Sequence, residues 1–290
     1  MVDSFSFWLV TAPMWAVAAM IFGGMIIAML VALRLRIYSG RGRADDPGGT
    51  EKENYQQSVL VSAVMGLLAL LIGFTFSLAI NRFDTRRENV VLEANAIGTT
   101  YLRTQMLEEP HRTRLSKLLV DYTDVRIAAA LTDPGPELSA LMRKSDQLNA
   151  RLWVATVAAF PSMRPNAFSH SYLEAMNALI DADTIRKSGR RSHVPGIVFL
   201  VLFLYQFMTA GVLSFALTGR GSRMTAILLF VLFGSVLLLV VDLDRATSGG
   251  ITENQRAMLD VQAFMKAQPP ASFDALVAPA HRLTSEEDQM

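Results

Sequence analysis

The chain contains no cysteine, which excludes disulfide frameworks, thiolate metal sites and cysteine nucleophiles. Charge is scarce as well: 18% of the 290 residues are Asp, Glu, Lys or Arg, and the formal net charge is +1. A balance so close to zero gives no global attraction to nucleic acid. The histidines are His111, His170, His193 and His281. They show neither the HExxH pattern nor any paired spacing, so zinc has no local support. The P-loop, the G-x-S-x-G elbow and the dinucleotide fingerprint are missing too, and Gly219–Arg223 (GRGSR) is only a tight interhelical turn. Local motifs therefore supply no enzyme, and no cofactor or metal is expected.

What is abundant is apolar, at 51% of residues, and it is clustered. Phe7–Leu33, Val59–Ile80, Val194–Leu217 and Met224–Val241 carry no charged side chain, and each is long enough to span a bilayer. The first exceeds the core of a signal peptide, and its flank Met1–Ser6 has Asp3 but no Lys or Arg, so it is retained as a membrane element. Pro13 places the start of that span near Pro13 or Trp15, with Phe5–Leu9 at the interface. The expected fold class is an all-α integral membrane protein with four transmembrane helices and a helical extramembrane domain inserted between spans two and three.

The expected segments are residues 1–57, the first span and a flexible loop; 58–108, the second span and its extension into water; 109–193, the helical domain; 194–241, a transmembrane hairpin; and 242–290, an amphipathic helix and a tail. Ser39–Gln57 is glycine-rich and charged, and reads as a surface loop. From Ser58 to Leu107 no proline or turn cluster interrupts the chain, so one helix of roughly 75 Å passes from lipid into water across a hydrocarbon core of roughly 30 Å. Between Arg82 and His193 the prolines Pro110, Pro136 and Pro165 look like first-turn residues. Leu115, Leu118, Leu119, Tyr122, Val125 and Ala129 form one buried stripe, and similar stripes run to Phe160-Pro161 and to Gly189, which makes a bundle of about four helices. Beyond the last span an amphipathic helix is expected over Thr252–Lys266, stopped by Pro269-Pro270, with a disordered Ser285–Met290 end.

The second span carries the most specific pattern. Ser62, Gly66, Ala69, Gly73 and Ser77 draw a stripe of small side chains, which reads first as a helix-packing seam. The functional alternative is a helix that lines a pore beside its symmetry mates. Ile72, Phe76 and Ile80 recur every four residues and would form a dewetting constriction, although lipid contact explains them as simply. Asn81, Glu88 and Asn95, seven apart, continue as a polar line that suits either an aqueous vestibule or a solvated face. Asp242 and Asp244, two apart, point to nearly opposite sides of a helix, so they would share a cation only if the helix ends there; charged residues capping a span are the simpler reading. Gln206, midway along the third span, needs a hydrogen-bond partner inside the bundle.

Three segments resemble one family. Asn81–Arg103 (NRFDTRRENVVLEANAIGTTYLR), the arginine-rich approach to Pro195, and Val240–Ile251 (VVDLDRATSGGI) together are similar to the bestrophin-like domain family of bacterial membrane proteins. Glu93, Asn95 and Gly98, with Asp242, Asp244 and Arg245, carry the most specific part of that resemblance, which extends from about Tyr55 to Phe264. It implies a distant relationship to bestrophins, homopentameric ion channels with cytoplasmic termini, a cytoplasmic helical region and a hydrophobic neck on the second span. By that analogy Ile72, Phe76 and Ile80 resemble the neck, and the helical domain and both termini lie in the cytoplasm at a bacterial inner membrane. The dense acidic run of calcium-gated members is absent after Asp244, and Ala246 stands where the family usually has proline. Lys and Arg near the membrane number eight on the domain side and seven on the other, so charge does not choose the sidedness. The expected partners are the lipid bilayer and further copies of the chain. The alternative is a membrane-anchored helical scaffold that binds an unidentified protein and transports nothing.

Overall fold

The computed structural model describes residues 2–39, 49–164, 167–216, 220–245 and 249–275. They form α1 (Val2–Thr11), α2 (Met14–Ser39), α3 (Gly49–Thr104), α4 (His111–Leu131), α5 (Pro136–Met163), α6 (Phe168–Arg191), α7 (Gly196–Ala216), α8 (Arg220–Asp244) and α9 (Arg256–Ala267), with no strand among the described residues. Prolines set several boundaries. Pro13, which has no N–H to donate, separates α1 from α2, and its carbonyl accepts from Ala16 N at 2.9 Å. Pro110 is the N-cap of α4, and Pro136 occupies the first turn of α5 after Gly135. The expected stop at Phe160-Pro161 falls slightly early: α5 runs to Met163 because Arg164 N still bonds Phe160 O at 2.9 Å.

A larger difference concerns the first loop. Gly49–Gln57, expected to be irregular, is the first part of α3, which runs unbroken for 56 residues. Once Pro47-Gly48 are passed, Glu51, Lys52, Glu53 and Gln56 are good helix formers, so nothing prevents the span from extending backwards. The expectations for Gly40–Gly48, Pro165, Thr218-Gly219, Ala246 and Ser285–Met290 lie outside the described residues.

The chain divides into two compact units, one of Met1–Phe83 with His193–Thr252 and the other of Asp84–Ser192 with Glu253–Met290. In the first, Val17, Ile21 and Met25 of α2, Leu68 and Ile72 of α3, Phe199, Leu202 and Phe203 of α7, and Leu237 and Val240 of α8 make one apolar core. Four helices among the described residues are long and apolar enough to cross a membrane, with their apolar stretches in α2, α3, α7 and α8. Gly234 permits a close approach there, since a Cβ on it would lie 2.5 Å from the ring of Phe22. Gln206 is buried, with Nε2 at 3.4 Å from the sulfur of Met25.

In the second unit, Val90, Ala94, Ile97 and Tyr101 of α3 pack with Leu115, Leu119 and Tyr122 of α4, Leu148 and Leu152 of α5, and Tyr172 and Met176 of α6. Helix α9 belongs to this unit and does not form a separate C-terminal piece. Met258 and Met265 enter the core, Gln262 Nε2 donates to Asp124 at 2.6 Å, and Tyr101 Oη donates to the Gln268 carbonyl at 2.7 Å. The segment expected to begin at 242 is therefore shared, with residues through Thr252 in the first unit and Glu253 onward in the second.

Candidate functional site

Within the first unit, α3 has two unlike sides. Ser62, Gly66, Ala69, Gly73 and Ser77 are all exposed, and a Cβ on Gly66 or Gly73 would meet nothing within 4 Å. Ile72 is 5% exposed and belongs to the spans' own apolar core, while Phe76 and Ile80 are half-buried against it. At four-residue spacing the triplet drifts around the helix, and its first member faces the spans' own core. Asn81 is exposed in this unit, and in the second unit Glu88 and Asn95 are exposed on the same helix. Asp84, Arg87, Glu88, Val91 and Leu92 line an open hollow of about 530 Å³ there.

The second unit buries a charge cluster around Glu93, which is 0% exposed. Helical spacing sets it on the same side of α3 as Val90, Ala94 and Ile97, so the fold must supply partners for its charge. Tyr122 Oη of α4 donates to Oε1 at 2.7 Å, and Arg126 Nε, one turn further along α4, donates to the same oxygen at 2.7 Å. Arg126 Nη2 reaches Oε2 at 3.2 Å, and Arg186 of α6 donates to that oxygen as well. Burial alone would raise the Glu93 pKa, but the two guanidinium groups outweigh it and hold the carboxyl below its ordinary value. Arg126 also pairs with Asp183 at 3.3 Å, Arg186 Nη2 donates to Gln255 Oε1 at 2.6 Å, and Arg86 faces Glu253 at 3.2 Å. Burial, with Glu93 next in effect, drives the Tyr122 phenol well above its ordinary value, so it remains a donor. Gly98 lies beside α9, where a Cβ would come within 3.3 Å of Val261 Cγ2.

The Asp242-Leu243-Asp244-Arg245 segment ends α8 in the first unit, and its members turn to separate partners. Asp242 accepts from Gly250 N at 2.9 Å and Ile251 N at 3.1 Å. Gly249 has φ +149°, and a Cβ on it would sit 2.2 Å from Asp242 Oδ1, so the turn requires glycine. Asp244 Oδ1 accepts from Val194 N at 2.8 Å, which fixes the entry to α7, and its carbonyl lies 3.0 Å from His193 Nδ1. Arg245 Nη2 donates to the Leu9 carbonyl at 2.5 Å and so ties α1 to the end of α8. These contacts organise loops and helix ends. No group of three or more potential metal ligands occurs among the described residues.

Sequence reasoning reached Glu93 only through the resemblance and missed Arg126, Asp183, Arg186 and Gln255. One signal was available: Tyr122 and Arg126 are four apart on the buried stripe of α4, and an arginine in such a stripe implies a buried acid.

A family model, the bestrophin-like domain, matches residues 25–252. No curated protein matches the chain. Among solved structures, a crystal structure of a bacterial bestrophin homolog from Klebsiella pneumoniae, determined by zinc phasing, matches at TM-score 0.61 and 15% identity, with 85% of this chain and 97% of that one covered. A point variant of that homolog from the same organism matches at TM-score 0.62 and 14% identity, covering 84% and 98%. At such identity these structures establish a shared fold, and four apolar helices of spanning length accompany it. Since the family model covers most of the sequence, the chain is an integral membrane protein that belongs to the bestrophin-like domain family.

Proposed function

We propose that this chain forms a homo-oligomeric ion channel with α3 around the axis, and that the exposed face of α3 is the side turned to the ion path. The observation that carries this reading is that face itself. A membrane helix that buries Leu68, Ile72 and Ala79 on one side leaves a stripe of small residues, Gly66, Gly73 and Ser77, uncovered on the other. Asn81, Glu88 and Asn95 follow on the same helix, so a lumen would change from narrow and weakly polar to hydrated as it leaves the bilayer. In this arrangement Ile72 supports the pore wall from inside the protomer, while Phe76 and Ile80 stand at its edge. The helical unit and both termini are placed in the cytoplasm of a bacterial cell, with the spans in the inner membrane.

The native absence of cysteine makes the test direct. Ser77→Cys and Asn81→Cys, each the only thiol of its chain, should form intersubunit disulfides on mild oxidation, and in separate reduced samples a thiol reagent should block ion flux in sealed liposomes. Monomeric protein in nanodiscs, or liposomes that stay tight, would refute the channel. A second reading is favoured by one observation: Trp153, Val154 and Val157 of α5 are exposed in the extramembrane unit, and such an apolar patch suits a protein partner. A scaffold of that kind would bind its partner and pass no ions.

A further inference from the structure

Within the first unit, α2, α3 and α7 surround an open hollow of about 560 Å³. Leu35, Leu60 and Met208 stand exposed on its three walls, and Ala28, Ala32 and Gly211 make its floor. The floor lies where α2 and α7 pack closely: a Cβ on Gly211 would stand 3.7 Å from the Ala28 carbonyl oxygen and 4.0 Å from Ala32 Cβ. Deeper in the span α3 meets α7, with Tyr205 Oη at 3.5 Å from the Val64 carbonyl. The hollow is therefore a wedge, closed at Tyr205 and open toward the Leu35 end of α2. Leu60 and Ser62, two residues apart, project from nearly opposite sides of α3, so the wedge faces away from the small-residue stripe.

None of the ten lining residues has a polar side chain, so water in the hollow would find no side-chain hydrogen-bond partner. An empty hollow would forfeit dispersion contacts along every wall. Hydrocarbon suits it better than either, and its position says which hydrocarbon. The apolar stretch of α2 ends at Leu35 and that of α3 begins at Val59, so the wedge opens at the head-group level of one leaflet. From Leu35 to Ala28 it reaches roughly 10 Å into the acyl region. Arg34 is exposed at the rim, one turn beyond Val31. The two connections on this side of the spans, residues 34–58 and 218–223, carry seven Lys or Arg against four Asp or Glu, an excess that favours a negative head group. From this we infer that the wedge between α2, α3 and α7 holds one acyl chain of an anionic phospholipid, with the head group at Arg34. The inference stands whether or not the opposite side of α3 lines an ion path.

The test reads tryptophan quenching in the full-length protein. Met208→Trp in a Trp8→Phe, Trp15→Phe, Trp153→Phe background places the only indole on a wall of the wedge. The protein is reconstituted in dioleoylphosphatidylcholine vesicles that contain a small, equal fraction of either brominated phosphatidylglycerol or brominated phosphatidylcholine. The anionic lipid should quench at a fraction lower by on the order of fivefold, the gain expected from one arginine near a membrane surface. Arg34→Gln should remove that preference, and so should Gly211→Leu, which fills the floor. Leu228→Trp in the same background, exposed on α8, should show no preference. Equal quenching by the two lipids at position 208, a preference that survives Arg34→Gln or Gly211→Leu, or the same preference at position 228 would overturn the assignment. An indole at 208 that neither lipid quenches would overturn it too, and would assign the wedge to a second copy of the chain.

Discussion

Replacing Glu93 by glutamine keeps the shape of the side chain and removes its charge at a point where four hydrogen bonds from three residues converge. In the parent, the carboxylate receives Tyr122 Oη and Arg126 Nε on one oxygen and Arg126 Nη2 and Arg186 on the other, with none of it exposed. Glutamine presents a single acceptor oxygen and turns an NH2 group toward a guanidinium. The two buried arginines then keep Asp183 and Gln255 as their oxygen acceptors among the described residues, with the Met142 sulfur a weak third. Breaking a buried ion pair from one side typically costs about 3–5 kcal/mol. For a domain of this size each kcal/mol moves Tm by about 2–4 °C, so Glu93→Gln should lower the apparent Tm by about 6–20 °C. Trp153 lies in the same unit on α5, and a Trp8→Phe, Trp15→Phe background makes its fluorescence the specific reporter. The pH dependence has a definite sign. Because the folded pKa lies below the ordinary 4.5, the contribution of Glu93 is complete above that value and is lost as pH falls through the folded pKa. The gap in Tm between parent and variant should therefore stay constant from neutral pH down to about 5 and close only in stronger acid. A variant that melts within 2 °C of the parent at neutral pH (roughly 1 kcal/mol or less) would refute the reasoning.

Three further outcomes follow from local geometry. Gly249→Ala forces a side chain into φ +149° and onto Asp242, so it should cost at least about 1–3 kcal/mol; Asp242→Ala, which strands the N–H groups of Gly250 and Ile251, should cost a similar amount by thermal unfolding. Gly234→Ala pushes against Phe22 and should destabilise by about 1–3 kcal/mol, whereas Gly66→Ala, open on that side, should leave the melting of a monomeric preparation unchanged and alter only the assembled form. Arg112→Ala removes the bidentate contact with Asp274, at 2.7 and 2.9 Å, and should increase proteolytic cleavage beyond Gln268 without changing the main transition.

Much of the helical frame was legible because its signals are local. Uncharged runs of spanning length, Pro110 and Pro136 at helix starts, and the Leu115–Ala129 stripe all act within a few turns of chain, and the helices follow them. Both faces of the second span are apolar, so periodicity alone cannot say which one packs inward. Nothing in the sequence shows that Ile72 joins the spans' own core while the small-residue stripe stays exposed on the single chain. The partners of Glu93 were invisible for another reason. They lie 29, 33 and 93 residues away, and only the packing of α3, α4 and α6 brings them together. Asp242 and Asp244 were correctly separated by helical geometry, but the backbone amides they hold belong to loops without any periodic signal.

The position of Glu253 and Gln255 has a consequence for biosynthesis. Arg86 and Arg186 are made before α7 and α8, yet one acid and one amide that face them, and the helix that seals their unit, come after both. At about 5–20 residues per second, the stretch from Ser192 to Gln268 takes the ribosome roughly 4–15 s, and throughout that interval the arginines lack these partners. The helical unit is thus finished last, after the final hydrophobic segment has been handed to the membrane. A nascent chain that stalls or is cut between Thr252 and Arg256 would possess every span and still present quality-control proteases with an unclosed, cationic interior.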